Sequence, residues 1–459
     1  MTQLNSGFAA IAAREDGLQR GLSSGQMSMI AIGGAIGTGL FLGSGFAIGF
    51  AGPSVLLSYA IGALIALLLI GCLAEMTVAH PTAGSFGAYA EHYVSPWAGF
   101  AVRYAYWASI VLAVGTEVTA VALYMQYWFP GTPAWMWIAL FSATLVAVNA
   151  MSVDVFGNVE YLFSTVKIAA IVAFIVIGSW LVYAAPVGGA IGFKNYIQHR
   201  GFFPNGGSGM WTGVIVSIFS YLGIEMVAVA AGEAKDPERA ITGAFRAAML
   251  RLVVFYMLTL GLMLAIVPWT AAGSGNSPFV LAMEALHVPG AAGLINFVIL
   301  VAALSAMNSQ LYITTRTMFS LSRAGQAPAR FGNLSKRGVP VAALSLSCAG
   351  IGIAVALSIL YPKGSFMLMM AISMFGAMFT WLMIFVTHFC FRRRWNREGQ
   401  PRLAFRMWAF PWLTLLGAAL MLAIMVTTAF TREFEMTLLT GVPFMLVLTA
   451  LYHLRYRKR

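Results

Sequence analysis

Between Gln26 and Tyr452 the sequence is a series of apolar stretches, each about as long as a lipid bilayer core is thick. A helix needs roughly 20 apolar residues to cross that core. Inside it every backbone N–H and C=O must find a partner within the protein, so apolar runs of this length can only be helices. Charged residues make up 9% of the chain, against about 25% in a soluble domain. The deficit runs along the whole length, which excludes a soluble enzyme. An all-α polytopic membrane protein with about twelve spans is expected.

The expected spans are TM1 Gln26–Phe50, TM2 Ser54–Thr77, TM3 Trp97–Trp128, TM4 Ala134–Ser152, TM5 Val159–Tyr183 and TM6 Trp211–Ala231. TM7 follows over Arg246–Val267, TM8 over Ala291–Arg323, TM9 over Pro340–Leu360, TM10 over Phe366–Cys390, TM11 over Trp408–Phe430 and TM12 over Met436–Tyr452. Gly52-Pro53, Pro130-Gly131-Thr132-Pro133 and Pro204-Asn205-Gly206-Gly207 punctuate their ends. The longest polar connections are Thr77–Pro96, Ala184–Gly209 and Phe391–Met407.

The net charge of +12 does not indicate a nucleic-acid partner, because the basic residues cluster in alternate loops. One side holds Arg14, Arg20, Lys235, Arg239, Arg323, Arg330, Lys336, Arg337, the run Arg392-Arg393-Arg394 and the C-terminal tail. The other holds Lys194, Arg200, Lys363 and Arg432. Basic loops face the cytoplasm. Both termini are therefore expected there, with the chain in the cell (inner) membrane. Cys72, Cys348 and Cys390 are far apart and give neither a disulfide framework nor a metal spacing. No metal and no cofactor is expected. The first 25 residues lack the form of a cleaved signal peptide.

TM1 contains Gly33-Gly34-Ala35-Ile36-Gly37-Thr38-Gly39-Leu40-Phe41-Leu42-Gly43-Ser44-Gly45. Each interior glycine costs a helix roughly 0.5–1 kcal/mol against alanine. The run either lets a neighbouring helix pack closely or marks a break whose freed backbone groups bind a ligand. TM6 carries a second interruption, Ser220-Tyr221-Leu222-Gly223-Ile224-Glu225, in the middle of an apolar span. TM1 and TM6 lie five spans apart, as the first helices of two five-helix halves would. Interrupted helices at matching positions in two halves point to a transporter's midplane site. The pair favours binding at the TM1 break over packing. A nucleotide loop is excluded, since it needs a preceding strand in a βαβ unit.

The TM1 glycine run resembles that of the amino-acid transporter family within the amino acid–polyamine–organocation superfamily. Further resemblances follow in order: Pro81-Thr82-Ala83-Gly84-Ser85-Phe86, Ala231-Gly232-Glu233-Ala234-Lys235-Asp236-Pro237-Glu238, Asn308-Ser309 with Arg316, and Ala324-Gly325-Gln326-Ala327-Pro328. One departure is Ile241-Thr242-Gly243, where the family usually has Ile-Pro. The resemblance, closest to bacterial permeases for histidine, threonine, proline or γ-aminobutyrate, implies a LeuT-type fold with broken TM1 and TM6. The chain then divides into a cytoplasmic segment 1–25, a first inverted repeat 26–183 and an extracytoplasmic loop 184–210. A second inverted repeat 211–390, a cytoplasmic loop 391–407 and TM11–TM12 with a basic tail 408–459 follow.

The resemblance also implies roles. The substrate carboxylate would meet the TM1 break at Ile36, Gly37, Thr38 and Gly39, where a half-helix N-terminus offers free N–H groups. The amino group would meet carbonyls of Phe219, Ser220 and Leu222, with Ile36 a further acceptor. Lys167 lies within TM5, where a lysine either reaches back to the interface or faces the bundle; in proton-coupled relatives it looks toward broken TM1. Glu117 and Glu225 are further proton-coupling candidates; the alternative for Glu117 is a hydrogen-bonded structural acid, and for Glu225 a hydrogen bond to freed backbone of TM1 or TM6. Glu233 is an inner-gate candidate. Asn308 and Ser309 line the pocket or bond between helices. Glu75 and Glu160 are expected at solvated span ends, and His388 at an interfacial span end. The function implied is a permease that imports an amino acid by proton symport; an exchanger on the same fold is the alternative. The partners are an amino acid, the proton and the bilayer, and a monomer is compatible with this. No nucleophile–base pair supports an enzyme.

Overall fold

The structure, a computed structural model, describes residues 3–15, 22, 23, 25, 26, 29, 30, 36–82, 84–186, 189–230, 253–273, 277–284, 289–362, 364–403 and 405–455. Glu233, the rest of the 231–238 motif, Ile241-Thr242-Gly243 and Gly33 to Ala35 lie outside the described residues.

Every regular element among the described residues is a helix. Ten helices are long and apolar enough to cross a membrane. The first, Gly39–Ala79, is a continuous helical run that holds both TM1 and TM2, which meet in the turn Gly52–Ser54. The apolar helix Val253–Ile266 is shorter and falls where TM7 is expected. Divided in this way, the described residues hold ten of the twelve expected segments nearly whole and the later parts of TM1 and TM7.

Helices apolar on all sides can be sorted by what covers them. TM6 (Gly206–Ala230) is buried throughout its apolar window, and TM3 (Pro96–Gln126), TM8 (Ala291–Arg323) and TM10 (Ser365–Arg397) are buried over most of theirs. TM4 (Ala134–Met151), TM5 (Val153–Ala184), TM9 (Val341–Leu360), TM11 (Trp412–Phe430) and TM12 (Glu435–Arg455) bury less than a third. TM3 is central and packs most extensively on TM10 and TM8. Small residues permit that approach. Gly350 and Gly376 lie against the backbone carbonyls of Val111 and Ala105 on TM3, where a Cβ would have no space.

Three boundaries differ from expectation. The connection Thr77–Pro96 is not a plain linker, because Ser85–Tyr93 forms a helix whose Glu91 binds Arg103 of TM3 and Arg14, both at 2.7 Å. TM5 begins at Val153, since extended Ser152 caps it by accepting the N–H of Val155 at 3.3 Å. TM10 runs on to Arg397, so the triple arginine is helical.

The expectation that Glu75 and Glu160 are solvated is overturned, and His388, expected at an interfacial span end, lies inside the longer TM10: all three have no exposed surface. Glu75 on TM2 is bonded to Arg392, to His388 Nε2 at 3.0 Å and to the N–H of Met407 at 2.8 Å. The 391–407 segment thus folds back over TM2. The longer TM5 places Glu160 two turns inside the helix rather than at its end. Buried carboxylates persist only when paired and hydrogen-bonded, and both acids are.

Candidate functional site

The two glycine-marked interruptions are real and they touch. Ile36 and Gly37 lie outside the helix, which Thr38 caps and which starts as a π-helical turn over Gly39–Gly43. TM6 stops at Tyr221 and resumes at Met226. Leu222 is extended, with φ −59° and ψ 142°, and Gly223 has φ 103°, a conformation glycine adopts without the Cβ penalty. A Cβ on Gly39 would sit 2.6 Å from Ser220 Cα. Ser220 Oγ donates to the carbonyl of Gly39 at 2.7 Å and lies 2.8 Å from the Tyr59 hydroxyl. Tyr256 donates to the Ser220 carbonyl at 2.8 Å. At the TM1 break, then, Gly39 packs against TM6 while the residues before it leave the helix.

Glu225 holds the TM6 break. Its carboxylate accepts the N–H of Gly223 at 3.1 Å, the Tyr106 hydroxyl at 2.8 Å and the Trp381 indole N–H at 3.2 Å. An unwound segment in a membrane must have its freed backbone groups satisfied, and Glu225 supplies one such acceptor from two residues away.

At the TM1 break the Thr38 N–H donates to Glu117 Oε2 on TM3 at 3.3 Å. A Cβ on Gly37 would meet Glu117 Oε1 at 2.9 Å and Ala306 Cβ at 2.8 Å. Thr38 is buried, yet its hydroxyl has no partner among the described residues. A small cavity of about 10 Å³ lies between the breaks, lined by Gly37, Gly39, Ile110, Ala113, Glu117, Phe219, Leu222, Gly223, Met226 and Gln310. That is close to the room one water needs, roughly 10–15 Å³. An amino acid fits only if the two breaks separate.

Lys167 faces the bundle and has no exposed surface. Its Nζ donates to the Ile36 carbonyl at 3.0 Å and to Ser305 Oγ on TM8 at 2.7 Å. Ser305 donates in turn to Glu160 Oε1 at 2.5 Å. Asn308 Nδ2 donates to Glu160 Oε2 at 3.2 Å and its Oδ1 accepts from Asn149 of TM4 at 2.8 Å.

The expected residues thus separate into groups. Gly37, Gly39, Glu117, Phe219 and Leu222 line the cavity, and Thr38 and Ser220 adjoin it. The Ile36 carbonyl is directed to Lys167. Glu225 braces TM6, and Asn308 belongs to the Glu160 network. Ser309 is buried, with a hydroxyl lacking a partner among the described residues. Gln310, Ser305 and Glu160 were not anticipated. Glu160, Ser164 and Lys167 fall at i, i+4 and i+7 of TM5, a polar stripe on one face of an otherwise apolar helix.

Interrupted helices meeting around a small cavity that holds a buried carboxylate, inside an all-helical membrane protein, are the arrangement of a transporter. A profile described as amino acid permease matches residues 26–458. The gamma-aminobutyric acid permease of Bacillus subtilis (strain 168) is 38% identical over 447 residues, covering 97% of this chain and 95% of that protein. The amino-acid permease RocC of the same organism is 37% identical, over 96% of each chain. The aromatic amino acid transport protein AroP of Salmonella typhimurium (strain SL1344) is 38% identical, over 90% of each. The chain belongs to the amino acid permease family and is a membrane transporter rather than an enzyme.

Proposed function

We propose that the protein imports an amino acid by proton symport across the cell (inner) membrane, with both termini cytoplasmic and with 26–183 and 211–390 as two inverted repeats. The observation that carries this reading is the bond from Lys167, a buried amine, to the Ile36 carbonyl at the TM1 break. A buried cation must be paired or neutralised, so the protonation of Lys167 and the position of TM1 depend on one another.

Desolvating an amino acid is costly unless its two charges find new partners. The N–H groups of Gly37, Thr38 and Gly39, with the Thr38 hydroxyl, suit its carboxylate. The carbonyls of Phe219, Ser220 and Leu222 suit its amine. In the closed arrangement Glu117 takes the Thr38 N–H, and a substrate carboxylate replaces it there. Ile110, Ala113 and Met226 give the remaining wall an apolar character. The names of the relatives, which include permeases for gamma-aminobutyric acid and aromatic amino acids, support an amino acid as substrate.

The test is uptake into proteoliposomes free of internal substrate, driven by an inward proton gradient. The probe is an isotope-labelled mixture of the standard amino acids and 4-aminobutyrate. Symport predicts accumulation above the outside concentration. Uptake that requires preloaded amino acid instead makes the protein an exchanger.

A further inference from the structure

Glu160 does not line the cavity, yet both of its carboxylate oxygens accept hydrogen bonds. It shares TM5 with Lys167, seven residues earlier in the chain, or about 10 Å along the helix axis. That puts it nearer the end of TM5 that leads to the basic loops. Ser305 of TM8 sits between the two, accepting from Lys167 at 2.7 Å and donating to Glu160 at 2.5 Å. Asn308 holds the second carboxylate oxygen at 3.2 Å and is itself held by Asn149. Ser164 is 3.1 Å from Glu160 Oε1 and 3.2 Å from the Met29 carbonyl.

We propose that Glu160 is the group that takes the coupling proton from Lys167, through the Ser305 hydroxyl, and releases it on the side of the basic loops. This rests on the proton-symport reading above. In the step the Lys167 ammonium gives a proton to Ser305 Oγ while the Ser305 hydroxyl proton passes to the Glu160 carboxylate. The products are a neutral amine and a carboxylic acid, and the serine is restored. The pair is neutral in sum before and after, so the transfer moves no net charge into the low-dielectric interior. Loss of the Lys167 ammonium weakens its hold on Ile36. Movement at Ile36 in turn opens a way from Glu160, buried in this arrangement, to water, and its proton leaves there. The chain Lys167–Ser305–Glu160 makes proton release wait on movement of TM1, which ties the proton to the transport cycle.

The test compares the full-length wild type with Glu160→Gln in proteoliposomes, with the labelled amino-acid mixture as probe. Glutamine keeps the shape and an acceptor oxygen for Ser305 but cannot take the proton. Counterflow of label against internal amino acid needs no net proton release and stays near the wild-type rate. Uptake driven by an inward proton gradient falls by about tenfold or more. Gradient-driven uptake at the wild-type rate overturns the proposal. Loss of counterflow together with uptake overturns it too, since Glu160 is then a structural support. Lys167→Gln is measured in parallel. If that variant keeps gradient-driven uptake, the symport reading itself fails; if it loses uptake while Glu160→Gln keeps it, the relay alone fails.

Discussion

The Nζ of Lys167 lies 3.0 Å from the carbonyl oxygen of Ile36, the residue at which TM1 leaves the helix. The two residues are 131 positions apart in the chain, and their bond joins TM5 to the broken helix. Lys167→Ala removes it and is expected to abolish gradient-driven uptake while amino-acid binding persists. Uptake and equilibrium binding, measured on the same reconstituted protein, check this; full concentrative uptake contradicts it.

The glycines of TM1 differ in what they tolerate. At Gly39 a Cβ would sit 2.6 Å from backbone of TM6, whereas at Gly43 it would meet Thr38 O at 3.6 Å and Val216 Cγ1 at 3.7 Å, ordinary contact distances. Gly39→Ala is therefore expected to cost about tenfold or more in uptake, as misplacement at a positioned site does. Gly43→Ala is expected to transport normally. Uptake normalised to inserted protein tests the pair, and equal tolerance at both positions contradicts the packing described.

Much of this site was legible in the sequence. Two interrupted spans five helices apart located the breaks, and a lone lysine in TM5 located the cation. The positions of Glu160 and Glu75 were not legible, for a physical reason. An apolar run shows where the helix is hydrophobic but not where it starts, and TM5, capped by Ser152, begins at Val153, six residues before the expected boundary at Val159. Glu75 was read as a span end because its partners, His388, Arg392 and Met407, lie more than 300 positions away. Gln310 gave no signal in sequence, since its neighbours Asn308 and Ser309 carry the polar character of that turn equally well.

Glu75 also sets a stability test. Removing one partner of a buried ion pair leaves a charge uncompensated, at a cost of about 3–5 kcal/mol. Arg392→Leu should lower the melting temperature in detergent more than Arg392→Leu combined with Glu75→Leu. A double variant less stable than the single one would show that the bonds from His388 Nε2 and the Met407 N–H to Glu75 outweigh its pairing with Arg392.

On the face with the basic loops, burial raises the Glu91 carboxyl, but the Arg103 guanidinium, with help from Arg14, more than offsets this and holds it below the usual carboxylate range. A depressed folded value means stability that is full above the unfolded value of about 4.3 and is lost as pH falls through the lower folded value. The stability difference between wild type and Glu91→Gln should be constant near neutral pH and shrink as pH drops below about 4. Melting curves across that range check the sign. A difference that grows on acidification contradicts the ion-pair geometry.

The most direct test of proton-coupled import follows the proton itself. Proteoliposomes carrying an internal pH-sensitive dye, with equal pH on both sides and no internal amino acid, receive the amino-acid mixture outside. The account predicts that the lumen acidifies as label enters, and that Lys167→Ala shows no acidification. Label entering the wild-type vesicles with no change in internal pH would contradict it.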